Sequence, residues 1–295
     1  MPQTQAAQPP TVYLNGSFLP LDQAQVSVLD RGFLFGDGVY EVMPVYGSQP
    51  FRLAEHLGRL ANSLAGIRCA NPLSNDQWDA LFRNLIVRNG GGDLSIYLQV
   101  TRGVGPNRDH SFPANAHPSV FVMASPLLPL PEVHRNNGVR AILVEDFRWG
   151  RCDIKTITLL ANVLLRQQAV DAGAFEAILV RGTQVTEGAA SNVFIVRGGQ
   201  LLTPPKGPLL LPGITRDLVC ELASANGIPI QEVALTVEDL QGADEIWLTS
   251  STKEVVPVTN LDGAPVGDGL PGAAYRRIME LYQSFKGLAR TGRYQ

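Results

Sequence analysis

The chain has 295 residues, 45% of them hydrophobic and 17% charged, with a formal net charge of -3. That length suits one large core or, more comfortably, two domains. The mild acidity argues against a broad surface for nucleic acid or an anionic membrane. Only Cys69, Cys152 and Cys220 occur; the odd number argues against a disulfide framework, and the spacing suits no metal, so a reduced, cytoplasmic chain is expected. The opening residues are polar and show no basic segment leading into an apolar one, so no secretory signal is expected. No apolar run reaches membrane-spanning length.

Residues 1–10 read as a loose tail. Val12 to Leu19 reads as a hairpin around Asn15-Gly16, a pair that tolerates positive φ. The stretch from Asp30 to Glu41 is rich in glycine without matching a dinucleotide or nucleotide phosphate loop, and it runs into a strand from Val39 to Tyr46. Leu53, Leu57, Leu60, Leu64 and Ile67 recur at helical spacing, which predicts a helix over Glu55 to Ile67. Glu55 and Arg59 stand four apart on it, as a surface ion pair would. A second helix is predicted from Ser74 to Val87, stopped by Gly90-Gly91-Gly92, and then a strand from Leu94 to Thr101. The following loop holds Arg108 and His110, a possible clasp for an anion or an exposed polar turn. Another strand is expected at Ser119 to Ala124.

The run from Ser125 to Pro131 breaks regular structure with three prolines. It divides the chain into a smaller N-terminal α/β domain (1–124), a linker (125–133) and a larger C-terminal domain (134–295). In the second part, strands are expected near 139–145, 176–181, 192–197 and 245–249, and helices near 157–172, 214–226, 236–241 and 271–285. The apolar run from Ile157 to Leu165 reads as a largely buried helix. The class is mixed α/β, without the regular cadence of a doubly wound sheet.

Lys155 falls at the passage from the 139–145 strand to this helix, and lysine is scarce: only Lys206, Lys253 and Lys286 accompany it. An amine can lose its proton and bond a carbonyl carbon, which a guanidinium cannot. Three further stretches carry chemistry or ordinary caps and turns. Glu187 sits among small residues between two apolar strands. Gly213-Ile214-Thr215 resembles a helix start whose free N–H groups suit a phosphate. Ser250-Ser251-Thr252 is a hydroxyl-rich turn after a strand.

Taken in order, Asp30-Arg31-Gly32, the run from Phe35 to Glu41, Arg151-Cys152-Asp153-Ile154-Lys155, Thr186-Glu187-Gly188 with Ser191-Asn192, and Gly213-Ile214-Thr215-Arg216 resemble the fold-type IV pyridoxal-phosphate enzymes, in particular their bacterial D-amino-acid aminotransferases. The resemblance runs from about Tyr13 to the last predicted helix. It implies a smaller α/β domain, a larger domain with a barrel-like sheet, and pyridoxal 5'-phosphate between them, cycling with pyridoxamine 5'-phosphate. Lys155 then matches the lysine that binds the cofactor, and Glu187 the acid beside the pyridine nitrogen. Arg59, Ile214, Thr215, Ser251 and Thr252 match the phosphate ligands. Tyr40, Arg108 and His110 match the group that receives the substrate carboxylate, the arginine and histidine reaching it from the partner subunit of a homodimer. The implied reaction exchanges an amino group between a D-amino acid and a 2-oxo acid such as 2-oxoglutarate or pyruvate. The same fold type implies alternatives: a branched-chain aminotransferase of L-amino acids, an aminodeoxychorismate lyase, or an R-selective amine transaminase. A non-enzymatic binding module would leave Lys155 and Glu187 without a task.

Overall fold

The computed structural model describes residues 9–293, so most of the expected N-terminal tail lies outside the described residues. Two compact units make up the chain. The first runs through Leu127 and takes in Thr156–Thr158; the second runs from Leu128 to Lys155 and resumes at Leu159.

The first unit contains β1 (Thr11–Leu14), β2 (Ser17–Pro20), α1 (Arg31–Phe35), β3 (Gly38–Tyr46), β4 (Gln49–Pro50), α2 (Leu53–Gly66), α3 (Asn75–Arg88), β5 (Leu94–Thr101) and β6 (Ser119–Pro126). Its six strands form an antiparallel sheet in the order β2-β1-β6-β5-β3-β4. The alternation expected of β5 is seen: Leu94, Ile96, Leu98 and Val100 are buried, with less buried residues between them. Leu57, Leu60 and Leu64 form the buried stripe of α2, which packs on β3. The predicted start of α3 is a capping box, in which Ser74 accepts from the Gln77 N–H and the Gln77 side chain accepts from the Ser74 N–H. The Glu55–Arg59 pair suggested by helical spacing does not form. Glu55 pairs with Arg52 at 2.9 Å, while Arg59 turns inward.

The second unit contains α4 (Glu132–Asn137), β7 (Val139–Glu145), α5 (Leu160–Asp171), β8 (Glu176–Arg181), β9 (Gln184–Gly188), β10 (Asn192–Arg197), β11 (Gln200–Thr203), α6 (Ile214–Ala225), β12 (Ile230–Glu232), β13 (Leu235–Thr236), α7 (Val237–Gln241), β14 (Glu245–Ser250), β15 (Glu254–Leu261), β16 (Ala264–Pro265) and α8 (Ala273–Arg290). Its strands follow the path β12-β11-β10-β14-β15-β7-β8-β9-β13, with β16 on β15, in a curled half-barrel. β7 and β8 are parallel and joined through α5, whereas most other pairs are antiparallel. β8, β10 and β14 are buried along nearly their whole length, as strands covered on both faces are. Ile178 joins Val193, Ile195, Ile246 and Val258 in one core. Its neighbours Ala177 and Leu179 face Leu165 and Ala169 of α5 instead.

Two sequence expectations change here. The run from Ile157 does not give a largely buried helix: α5 begins at Leu160, and Leu160, Val163 and Leu164 are exposed. Only the stripe through Leu165 and Ala169 reaches the sheet, so an apolar composition all round the helix covers more surface than this unit buries. β15, β9 and β11 were also absent from the sequence reading; Pro257 in the middle of β15 disguises that strand.

Gly103 marks where β5 ends and the loop toward β6 begins. Its φ is +91°, and a Cβ there would run into the carbonyl of His117. Gly103→Ala is therefore expected to cost about 2 kcal/mol or more, read as a lower midpoint in urea denaturation.

Candidate active site

The sequence-nominated residues fall into two groups, one in each unit. In the first unit, Arg59 projects from α2 and is buried. Its Nε and Nη2 each donate to Glu41 at 2.8 Å, a side-on fork that fixes the guanidinium plane. His56 Nδ1 lies 2.8 Å from the same carboxylate. Burial alone would raise the Glu41 carboxyl, but Arg59 and His56 overcome it and hold the pKa down at about 2. Sequence reasoning passed over Glu41 and His56, although a single acid in the apolar strand Val39 to Val45 was the available signal.

Tyr40 precedes Glu41 on β3 and is half-buried, its ring 5.8 Å from that of Tyr97. Burial, with Tyr40 nearby, pushes the Tyr97 hydroxyl up to about 12. Arg108 and His110 lie exposed in the loop between β5 and β6. The Arg108 guanidinium stands 5.1 Å from the centre of the Phe35 ring, and the His110 ring also lies 5.1 Å from it. The structure thus gathers these two side chains around one aromatic platform.

In the second unit, Cys152 and Ile154 are buried and Lys155 is half-buried. The Cys152 N–H donates to the Pro208 carbonyl at 2.7 Å, which pins the segment just before the lysine. Burial pushes the Cys152 thiol up to about 11, leaving it a packed hydrophobe rather than a nucleophile. Thr156, the next residue after Lys155, belongs to the first unit: it pairs with Val39, and its hydroxyl donates to the Gly38 carbonyl at 3.2 Å.

Glu187 lies within β9 rather than in the turn after it, and it is buried. Arg148 Nη1 donates to one of its oxygens at 2.5 Å. The other accepts from the Leu211 N–H at 3.0 Å and Asn192 Nδ2 at 3.2 Å. Arg148 is gripped in turn by Asp146, through Nε and Nη2 at 3.0 Å each, and Thr186 donates its hydroxyl to Asp146. Burial is the largest influence on Glu187 and pushes it up to about 7 against the pull of Arg148, the Leu211 N–H and the charge of Lys155. Although burial opposes it, the Asp146 hydrogen bonds and Glu187 hold Arg148 charged more firmly than usual. Arg148, Asp146 and Asn192 were not nominated from sequence; the first two flank the lysine stretch and leave an apolar strand, which was the signal.

α6 starts at Ile214, with Thr215 buried and Gly213 as its N-cap without a side-chain hydrogen bond. Its first backbone N–H groups are thus a ready anion site. A Cβ on Gly213 would overlap Asn192 Oδ1, so the close approach requires glycine. Arg216 is buried and clamps this helix start by donating to the Pro204 carbonyl at 2.8 Å and to Glu232 at 2.6 Å. Ser251 and Thr252, half-buried, occupy the turn between β14 and β15.

A helix N-terminus capped by no side chain, a half-buried lysine and a buried carboxylate fit pyridoxal 5'-phosphate, whose three recognisable features are a phosphate, an aldehyde and a basic ring nitrogen. Comparison with known proteins agrees. Residues 38–261 match the family described as amino-transferase class IV, and the chain belongs to that family. It is a pyridoxal-phosphate-dependent aminotransferase of fold-type IV. Over 273 residues it is 41% identical to the D-alanine aminotransferase of Bacillus licheniformis, spanning 92% of this chain and 96% of that one. The D-alanine aminotransferase of Staphylococcus aureus (strain COL) is 40% identical, with 93% and 97% covered. Among solved structures, Escherichia coli branched-chain amino acid aminotransferase superposes with a TM-score of 0.87 at 29% identity, covering 98% of this chain and 97% of that one. The branched-chain aminotransferase of Thermoproteus uzoniensis, solved with norvaline, gives a TM-score of 0.86 at 28% identity, with 97% and 96% covered.

Two buried acids give opposite pH signatures. The depressed Glu41 contributes stability that is present above its ordinary value of 4.5 and is lost as pH falls toward 2. Glu41→Gln should therefore cost about 3 kcal/mol at neutral pH, because it leaves Arg59 without its carboxylate; the deficit in urea midpoint should shrink in acid. Glu187 is raised, so its contribution to stability falls as pH climbs from 4.5 to about 7. The melting temperature of apo Glu187→Gln, relative to wild type, should rise between about pH 5 and pH 8.

Proposed function

We propose that this aminotransferase exchanges an amino group between a D-amino acid and a 2-oxo acid such as pyruvate or 2-oxoglutarate. The pair Arg108 and His110, held on one loop around Phe35, carries the reading. Support comes from identity at or above 40% to D-alanine aminotransferases over nearly the whole length. Arg108 presents a planar fork suited to a carboxylate, and His110 and Tyr40 add orienting donors. A chiral substrate held by its carboxylate presents only one face of Cα to a base.

The nominated residues, in a smaller N-terminal and a larger C-terminal domain, are assigned to one cofactor. Pyridoxal phosphate, when bound, supplies an electron sink for the bond broken at Cα. Arg59, kept planar by Glu41, and the backbone and hydroxyl of Ile214 and Thr215, with Ser251 and Thr252, hold its phosphate. Glu187 would meet its ring nitrogen; a cationic N–H there would draw the raised carboxyl into its ionised form, and Arg148 would keep that carboxylate in place. Lys155 would hold the cofactor covalently between turnovers, and its Nζ would be the base that takes the Cα proton.

A homodimer with shared sites completes the reading. Exposed Val28, Phe33, Phe147, Trp149, Leu160 and Val163 are large apolar side chains that a second subunit would cover. Among the described residues no helix is long and apolar enough to cross a membrane, and we place the enzyme in the cytoplasm.

The testing experiment is a stopped-flow half-reaction of the loaded enzyme with D-alanine, D-glutamate, L-leucine and L-glutamate, following loss of cofactor absorbance and identifying each 2-oxo acid. Rapid conversion confined to the D-amino acids is expected. Conversion confined to L-leucine or L-glutamate would keep Lys155 and the cofactor but overturn the stereochemical assignment.

A further inference from the structure

The loop that carries Arg108 and His110 has little packing of its own, for every residue from 106 to 112 is exposed. Beyond a local turn in which Asp109 Oδ1 accepts from the Ser111 N–H at 3.1 Å and the Ser111 hydroxyl at 3.3 Å, the loop's order comes from underneath. Arg31, at the start of α1, is 4% exposed. Its Nη1 donates to the Asp109 carbonyl at 2.6 Å and the Ser111 carbonyl at 3.2 Å, and its Nη2 donates to the His110 carbonyl at 3.1 Å. Three successive carbonyls therefore converge on one guanidinium. The Arg31 backbone N–H donates to the Gly103 carbonyl at 2.9 Å, and Asp30 bridges Val104, so the loop's entry is tied to the same residues.

Arg31 is itself fixed. Its Nε donates to Asp37 Oδ2 at 2.8 Å, and Asp37 is forked by Arg102 Nε and Nη2 at 2.8 and 2.9 Å. Burial alone would raise the Asp37 carboxyl, but the bonds from Arg102 and Arg31 hold it below its ordinary range. The Phe35 ring lies 4.8 Å from the Arg31 guanidinium, and the Phe112 ring covers Arg102 at 3.7 Å.

We propose that Arg31 is a positioning residue for substrate recognition: by mooring the backbone at 109–111 it sets where Arg108 and His110 meet the substrate carboxylate. This inference rests on the proposed function for the carboxylate, but the mooring is open to a separate measurement. A loop held in its binding geometry avoids an ordering cost when substrate arrives. Loss of the mooring therefore weakens carboxylate binding, whereas proton transfer at Lys155 is left alone.

The test uses the loaded enzyme and the variants Arg31→Met and Arg31→Lys. Methionine keeps bulk while Arg102 still pairs with Asp37; lysine keeps a charge beside Asp37 but loses the planar fork. Hydrogen exchange of a peptide covering 104–113 reads the mooring. Half-reactions with D-alanine and with D-alaninamide, which lacks the carboxylate, read its consequence. Expected for Arg31→Met are faster exchange in that peptide, an apparent dissociation constant for D-alanine raised about tenfold, a limiting rate little changed, and D-alaninamide unaffected. Arg31→Lys should recover part of the affinity. Unchanged exchange, or equal losses with both compounds, would overturn the proposal. A wild type inert toward every D-amino acid would sink the proposed function and the carboxylate role together; faster exchange would then establish Arg31 as a tether alone.

Discussion

A carboxylate taken wholly out of water must give up its charge or be matched by fixed donors. The ordered parts of both units follow from that constraint. Glu41 is matched by Arg59, Asp37 by Arg31 and Arg102, and Asp146 with Glu187 by Arg148. In three of these pairs, Arg59–Glu41, Arg102–Asp37 and Arg148–Asp146, a rigid guanidinium fork meets a planar acid. All four of these basic partners are arginines. Lysine at those places would supply charge without the planar, two-point contact. Lys155 is the exception that the proposed chemistry requires, since only an amine there can be both a covalent anchor and a base.

Glu187 is set apart from Glu41, Asp37 and Asp146, whose carboxyls are held down. Three donors reach its two oxygens, yet its burial outweighs them. Glu41, equally buried but held by both arms of Arg59 and by His56, settles far on the other side. The difference suits their tasks. Glu41 is a permanent anion that orients an arginine, whereas Glu187 is poised to respond to a positive charge placed beside it.

Much of this was legible in the sequence, for reasons that differ by element. β5 and α3 were readable because alternation in one and a capping residue in the other are local properties. The edge strands β12 and β13 were not, because two or three residues carry no period. α5 was misjudged because an apolar composition tells how much surface seeks cover, not whether this chain supplies it. The residues meant to touch cofactor and substrate were nominated from ordered motifs. Their supports, Arg148, Glu41, His56 and Arg31, needed coordinates, since each acts on a partner distant in sequence or hidden within an unremarkable strand. The resemblance to branched-chain enzymes in backbone and to D-alanine enzymes in sequence makes the same point: fold type is set by core patterning, whereas substrate preference resides in a few loop side chains.

The mooring of the loop from 106 to 112 carries an evolutionary consequence. Arg31 reads main-chain oxygens, and every residue type offers those alike. Arg31 therefore places no demand on the side chains at 109–111; the demand on Asp109 comes from its own carboxylate, which accepts from the Ser111 N–H and hydroxyl. Under the proposed function, a lineage descended from this chain could vary the exposed side chain of Asn107 at the rim of the substrate mouth while the mooring of 109–111 stays in place.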